Sequence, residues 1–149
     1  MKVPKQFHLL LADDDQDDRF FFNKALQEVP IPTNLTTVKD GEKLMRYLSK
    51  NSKELPDALF LDLNMPRKNG TECLIEIKSN KILKELPVII YSTSHPEDVA
   101  DLLYENGAHY YIRKASFAEL EKALQRILTL MIERKFTRPS RNQFILIFK

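Results

Sequence analysis

The side chains in this sequence that could do chemistry together are Asp13, Asp14 and Asp15 in a row, then Asp62, then Ser92 and Thr93, then Lys114. Gathered on one rim, the four carboxylates would repel one another and need a cation to stay ionised. No His or Cys adjoins them in sequence, so the ligand atoms would all be oxygen, which favours Mg2+ or a similar hard ion. Mg2+ keeps several waters and binds through one or two carboxylates plus a phosphate oxygen. An ammonium and a hydroxyl on the same rim would take the other phosphate oxygens. Such an assembly performs phosphoryl transfer, its equatorial oxygens neutralised by metal, lysine and hydroxyl. The nucleophile would be a carboxylate, Asp62 being the best placed, and the product an aspartyl phosphate.

These residues are far apart in the chain, so only the fold can bring them together. Short apolar runs at 7–12, 35–38, 58–61, 88–91 and 110–112 read as strands. Amphipathic stretches at 17–29, 42–48, 71–79 and 96–104 read as helices, followed by a long last helix with its apolar stripe at Phe117, Leu120, Leu124, Ile127, Leu128 and Met131. On the first helix Phe21, Phe22, Ala25, Leu26 and Val29 share one side, so the Phe20–Phe22 run is core plus one surface aromatic. Pro30 and Pro32 stop that helix, Thr71 and Ser116 are placed as N-caps, Pro96 suits a first turn and Gly107 a C-terminal stop. A β-α order repeated five times, with strands apolar throughout, predicts an α/β doubly wound five-stranded parallel sheet with helices on both faces, flavodoxin-like, plus a C-terminal extension. In such sheets ligands gather beyond the carboxyl ends of the strands, which is where every residue of the chemical set lies.

At 149 residues the chain makes about one domain. Hydrophobic residues are 43% and charged residues 30%, the balance of a globular chain. With 23 Lys and Arg against 21 Asp and Glu the net charge is +2, which gives no bulk attraction to nucleic acid. The single cysteine, Cys73, allows no internal disulfide. No apolar run reaches the ~18–20 residues a bilayer demands. The N-terminal segment, ending in three aspartates, does not read as a signal peptide, and a reducing, cytoplasmic setting is expected.

Four segments in order carry a resemblance: Leu10-Leu11-Ala12-Asp13-Asp14, the loop Asp62-Leu63-Asn64-Met65-Pro66-Arg67-Lys68-Asn69-Gly70, the stretch from Leu86 to Ser92, and Tyr111-Ile112-Arg113-Lys114. Over residues 6–132 the chain resembles the bacterial two-component response-regulator receiver domain, in a stand-alone form, with 133–149 as an extension. The resemblance implies that Asp62 is the phosphoacceptor. It implies that Asp14, Asp62 and the backbone carbonyl of Asn64 ligate Mg2+, with Asp13 acting mostly through water. Ser92 would be the switch hydroxyl and Lys114 the phosphate binder. Tyr111 would turn inward when Ser92 moves, and Pro66 and Gly70 would shape the loop. Asp15 fits a helix cap better than a metal ligand. The donor would be a phosphohistidine on a sensor histidine kinase or phosphotransfer protein. The readout would be a conformational switch acting on a downstream protein, with no DNA-binding domain and no membrane contact. Such a chain is a phosphoacceptor that dephosphorylates itself rather than a turnover enzyme.

Two departures stand out. Family members usually carry a proline after the lysine, in a cis peptide; here Ala115 follows, and since a cis bond there would cost about 2.5–4 kcal/mol, a trans Lys114–Ala115 bond is expected. Thr93 stands where a smaller residue is common. Two other readings fit part of the pattern. One is a pseudo-receiver that binds partners without being phosphorylated, against which the intact acid, hydroxyl and lysine set argues. The other is a haloacid-dehalogenase-like phosphohydrolase, which wants a second aspartate where Asn64 stands. Cys73 reads as a small core residue and His95 as a solvated loop residue. In the tail, Arg134, Lys135, Arg138 and Arg141 precede the apolar run Phe144–Phe148. That run is an aggregation hazard if bare. Either it adds as a strand to an exposed sheet edge, within the chain or across a homodimer, or it packs as irregular coil.

Overall fold

The structure, a computed structural model, describes residues 6–148. The start of the N-terminal segment, read above as lacking a signal peptide, lies outside the described residues. Along the chain run β1 (Phe7–Ala12), α1 (Gln16–Gln27), β2 (Thr33–Val38), α2 (Gly41–Lys50), β3 (Ala58–Leu61), α3 (Gly70–Ser79), β4 (Val88–Ser92), α4 (Pro96–Glu105), β5 (Tyr110–Arg113), α5 (Phe117–Ile132), a 3-10 turn (Arg141–Gln143) and β6 (Ile145–Leu146). All strand pairs are parallel, in the order β2-β1-β3-β4-β5-β6. Among the described residues no helix is long and apolar enough to cross a membrane.

The strands sort their side chains by parity, as the two-residue pleat demands. Leu10, Leu59, Leu61, Val88, Ile90 and Tyr111 point into the core under α2, α3 and α4. Leu9, Leu11, Phe60, Ile89, Tyr91 and Ile112 point into the core under α1 and α5. With both faces covered, the central strands can be apolar at every position. The chain winds outward from β1 in both directions, to β2 on one side and to β3 on the other. The gap between the carboxyl ends of β1 and β3 is therefore the switch point where a ligand site belongs.

The sheet has six strands, the expected five and one more from the C-terminal extension. After α5 the extension crosses the far end of the sheet. Phe136 stacks on Tyr110 at 5.9 Å between ring centroids, and the Arg138 guanidinium lies 3.8 Å from the centre of the Tyr104 ring. Arg138 also donates to the carbonyls of Tyr104 and Ala108, and Arg141 donates to Asp101 at 2.8 Å. The Tyr111 amide donates to the Phe144 carbonyl, and the wholly buried Phe144 ring sits edge-on to Tyr104 and Tyr111. The apolar run thus pairs with β5 of its own chain, the in-chain alternative left open by the sequence. A two-residue strand is too short to be distinguished from a sticky tail by periodicity. Two further expectations are corrected. The N-cap of α3 is Asn69, not Thr71, because Asn69 and Glu72 form a reciprocal capping box that starts the helix earlier. Phe20 and Phe21 are both exposed, at 60% and 49%, and only Phe22 of that run is core.

The tail is therefore expected to contribute stability through one ring. Phe144→Ala should lower the unfolding free energy by about 3 kcal/mol, the usual loss for emptying a buried phenylalanine site. Ile147→Ala, at a side chain 72% exposed, should change it by less than about 0.5 kcal/mol. Urea unfolding followed by circular dichroism measures both.

Candidate phosphoryl-transfer site

The acids are placed by backbone pairing at the ends of β1 and β3. The Asp13 amide donates to the Val38 carbonyl at 3.1 Å, and the Asp62 amide to the Ala12 carbonyl at 3.0 Å. These bonds extend the ladder one residue past each strand and aim both carboxyls over the same rim. Asp13 and Asp62 are buried, Asp14 is exposed, and one ligand oxygen from each lies within 4.8 Å of the others. Asp15 stands beside them as a cap: its side chain accepts from the Asp18 amide at 2.9 Å, and its own amide donates to Asp13 Oδ1 at 3.0 Å.

The loop after Asp62 returns sharply. The Asn64 amide donates to Asp62 Oδ1 at 3.3 Å, and the Gly70 amide to the Leu63 carbonyl at 2.9 Å. Arg67 takes a left-handed conformation at φ 69°. A Cβ on Gly70 would stand 2.2 Å from the Asp62 carbonyl oxygen, so only glycine lets α3 start this close to the acid. Asn64 itself is exposed at the rim.

Lys114 arrives from the end of β5, and its amide donates to the Ser92 carbonyl at 2.7 Å. Its ammonium, on a side chain only 9% exposed, donates to Asp13 Oδ2 at 2.7 Å and Asp18 Oδ2 at 2.8 Å and lies 3.6 Å from Asp62 Oδ2. Ser92 is buried, and its hydroxyl accepts from the Ser94 amide at 3.1 Å. Tyr111 is fully buried and its hydroxyl donates to the Ser94 carbonyl at 2.8 Å. Thr93 is exposed beside Lys114, in a cleft that Phe21, Tyr91 and Phe117 also line. Among the described residues no peptide bond is cis, so Lys114–Ala115 is trans as expected.

Burial sets the electrostatics. Asp62 is pushed up to about 6, mainly by burial and further by Asp13 and Asp14, with Lys114 opposing. Burial raises Asp13 as well, against its bonds to Lys114 and the Asp15 amide. Lys114 is held above its ordinary value: burial works against the charge, but its bonds to Asp13 and Asp18 outweigh it. Three acids share one rim with one cation whose bonds are already divided, so the site is short of positive charge. Oxygen ligands at this spacing fit a divalent ion.

The structure brings together Asp13, Asp14, Asp62 and Lys114, with Ser92 at the adjoining strand end. His95 is exposed at the start of α4, away from the acids' hydrogen bonds. Cys73 is buried and its thiol pushed up to about 11, mainly by burial, as suits a core residue. Sequence reasoning missed Asp18. Its signal was its place in the first turn of α1, the helix that starts directly after the acids at the end of β1.

Comparison with known proteins agrees with this geometry. Residues 9–125 match the family described as the response regulator receiver domain. Response regulator Rcp1 of Synechocystis sp. is 33% identical over 130 residues, covering 84% of this chain and 88% of that protein. The probable methanogenesis regulatory protein FilR2 of Methanothrix harundinacea is 27% identical over 131 residues, covering 85% of this chain and 84% of its own. The phosphorylated cyanobacterial phytochrome response regulator RcpA superposes with a TM-score of 0.77 at 32% identity, over 91% of this chain and 100% of that one. The Mn(2+)-bound form of Rcp1 superposes at 0.75 and 32% identity, over 90% and 99%. With its fold, its acid cluster and its sequence all in agreement, the chain belongs to the response regulator receiver family.

Proposed function

We infer that this chain is a phosphorelay response regulator that takes a phosphoryl group onto Asp62 and signals by changing shape. The observation that carries the reading is the buried Asp62 carboxylate at the switch point, with the Lys114 ammonium 3.6 Å away and two more carboxylates beside it. At neutral pH Asp62 is mostly ionised and so nucleophilic. The donor is a phosphohistidine of a sensor histidine kinase or phosphotransfer protein. Its P–N bond breaks as the bond from phosphorus to the Asp62 carboxylate oxygen forms, and the imidazole leaves with its electron pair and takes up a proton. The relatives named for phytochromes make a phytochrome-linked kinase the first donor to test.

Asp13, Asp14, Asp62 and the Asn64 carbonyl would hold Mg2+, which when bound supplies the positive charge the three acids lack. Lys114 would bind a phosphoryl oxygen, and Ser92 would turn its hydroxyl toward the phosphoryl group. Tyr111, bonded through Ser94 to the Ser92 loop, would report that movement to the face formed by α4, β5 and α5. The reading takes residues 6–132 as the receiver and 133–149 as an extension. It describes a cytoplasmic phosphoacceptor acting through protein contact, and not an enzyme that turns over substrate. A homodimer through the tail would have to meet the outer side of β6, because its inner side is already paired with β5.

Incubation with acetyl phosphate and Mg2+ should raise the protein mass by one phosphoryl group, and Asp62→Asn should abolish the gain. Steady turnover of small phosphoesters would instead mark a hydrolase, and an unchanged mass a pseudo-receiver. The metal site has its own pH signature. Because Asp62 titrates near 6 without metal, a cation binding below that pH must displace its proton. Affinity for Mg2+ should therefore be nearly constant above pH 7 and fall by up to about tenfold for each pH unit below 6. Calorimetric titration at pH 5, 6 and 7.5 checks this.

A further inference from the structure

Asp18 is the one group holding Lys114 that belongs neither to the acid cluster nor to the set read from the sequence. It is the third residue of α1, whose N-cap is Asp15. In a capping box the side chain at this position turns back to the N-cap amide, as Glu72 does for Asn69 in α3. In α1 that amide is already taken by Asp13 Oδ1 at 3.0 Å. The Asp18 carboxylate is thereby released, and it reaches across to Lys114 at 2.8 Å.

An ammonium has three donors. Lys114 gives one to Asp13 Oδ2 and one to Asp18 Oδ2, while Asp62 Oδ2 lies 3.6 Å away, within ion-pair range but beyond a hydrogen bond. The two anchors differ in kind. Asp13 is part of the trio spaced to hold a cation, so its oxygens have a competing claim; Asp18 stands outside that trio. The backbone on the far side of Lys114 offers little help: Ala115 and Ser116 are exposed, and the bond between Lys114 and Ala115 lacks the fixed proline usual in similar chains. The Lys114 amide, bonded to the Ser92 carbonyl, fixes the root of the side chain, and Asp13 and Asp18 fix its amine.

We propose that Asp18 is a positioning residue for phosphoryl transfer, holding the Lys114 ammonium at the edge of Asp62 independently of the carboxylates that take the cation. The inference rests on the reading of Asp62 as phosphoacceptor. With Asp18 in place, one donor of Lys114 stays anchored to α1, the donor not engaged by either acid can meet a phosphoryl oxygen, and the donor on Asp13 is released where Asp13 turns to the cation. The contact also ties the start of α1 to the end of β5, so a loss of stability alone would not distinguish this role from a purely structural one.

Two ligands separate the roles. Mg2+ alone reads the acid trio, and beryllofluoride in saturating Mg2+, a phosphoryl mimic that bonds to a carboxylate, reads Lys114 as well. Asp18→Asn and Asp18→Ala should keep Mg2+ affinity within about twofold and weaken beryllofluoride about tenfold, the scale of a charge-assisted hydrogen bond reduced by partial exposure. Asp18→Glu should recover part of that loss, and acetyl phosphate labelling should slow in the same order. Should Asp18→Asn fail to fold, Asp18→Ala and Asp18→Glu carry the test. Unchanged or tighter beryllofluoride binding in the neutral variants would overturn the assignment, as would a parallel loss of Mg2+ affinity, which would put Asp18 in the cation site. If the unaltered protein binds Mg2+ but no beryllofluoride, the reading of Asp62 itself fails, and this inference with it.

Discussion

One ammonium among buried acids governs this molecule. Lys114 Nζ holds Asp13 and Asp18 and stands 3.6 Å from Asp62. Burying ionised carboxylates costs several kcal/mol each unless charge and hydrogen bonds offset it. Burial, above all, raises the values of Asp13 and Asp62, and the single cation beside them does not cancel that rise. The deficit of positive charge is what makes the site reactive toward positive charge. A rim whose acids were fully compensated would have no affinity left for a divalent ion or for the metal-bound, charge-neutralised phosphoryl group. The imbalance is therefore a functional property maintained by the fold, at the expense of stability.

What maintains it is the parallel sheet. Backbone bonds carry the β1 and β3 ladders one residue past the strands, and that extra pair is Asp13 with Val38 and Asp62 with Ala12. The two acids are thus fixed to main chain in the stiffest part of the molecule. Around them sit tight turns that exclude any bulk. Gly70 touches the Asp62 carbonyl where a Cβ would clash, and Gly41 likewise stands against the Lys68 carbonyl. The α3 capping box then locks the loop's far end. Like charges are held at close range because the backbone around them has nowhere to relax.

Much of this was legible in the sequence, and the parts that were not share a cause. Short apolar runs ending in Asp13, Asp62, Ser92 and Lys114 announced both the sheet and the site, because strand parity and strand ends are local signals. Ser116 and Asp15 were readable as caps for the same reason. Thr71 yields the cap to Asn69, two residues earlier, because Asn69 satisfies the same rule with Glu72 as a reciprocal partner, and the better-bonded cap wins. Phe21 lies on the apolar side by helical periodicity yet is exposed, because periodicity does not encode how wide a face the neighbours cover. For Asp18 the sequence offers its nearness to the rim, as a first-turn acid of α1, but not its partner, because Lys114 lies 96 residues away. The sixth strand depended on whether β5 offered a free edge, which only the assembled sheet reveals.

That last strand changes how Tyr111 should be understood. The family pattern has this ring turn inward when the switch hydroxyl moves. Here it is already inward, its hydroxyl on the Ser94 carbonyl, its amide on the Phe144 carbonyl and its ring beside the Phe144 ring. Rotating it outward would open a ring-sized space next to Phe144 and leave the Ser94 carbonyl without that donor. Both losses are of the order of kilocalories. The extension thus adds Phe144 packing to the Tyr111 to Ser94 hydrogen bond in favouring the inward position of the ring. Because Ser94 also donates its amide to the Ser92 hydroxyl, the tail is linked to that hydroxyl in two steps, through Tyr111 and then Ser94. A movement of Ser92 then has to be accommodated at Ser94 and in the bond between Tyr111 and Ser94, while the Phe144 packing resists any large swing of the ring. In this chain the C-terminal strand packs directly on Tyr111, so on the proposed reading its contacts would limit how far that ring travels when Ser92 moves.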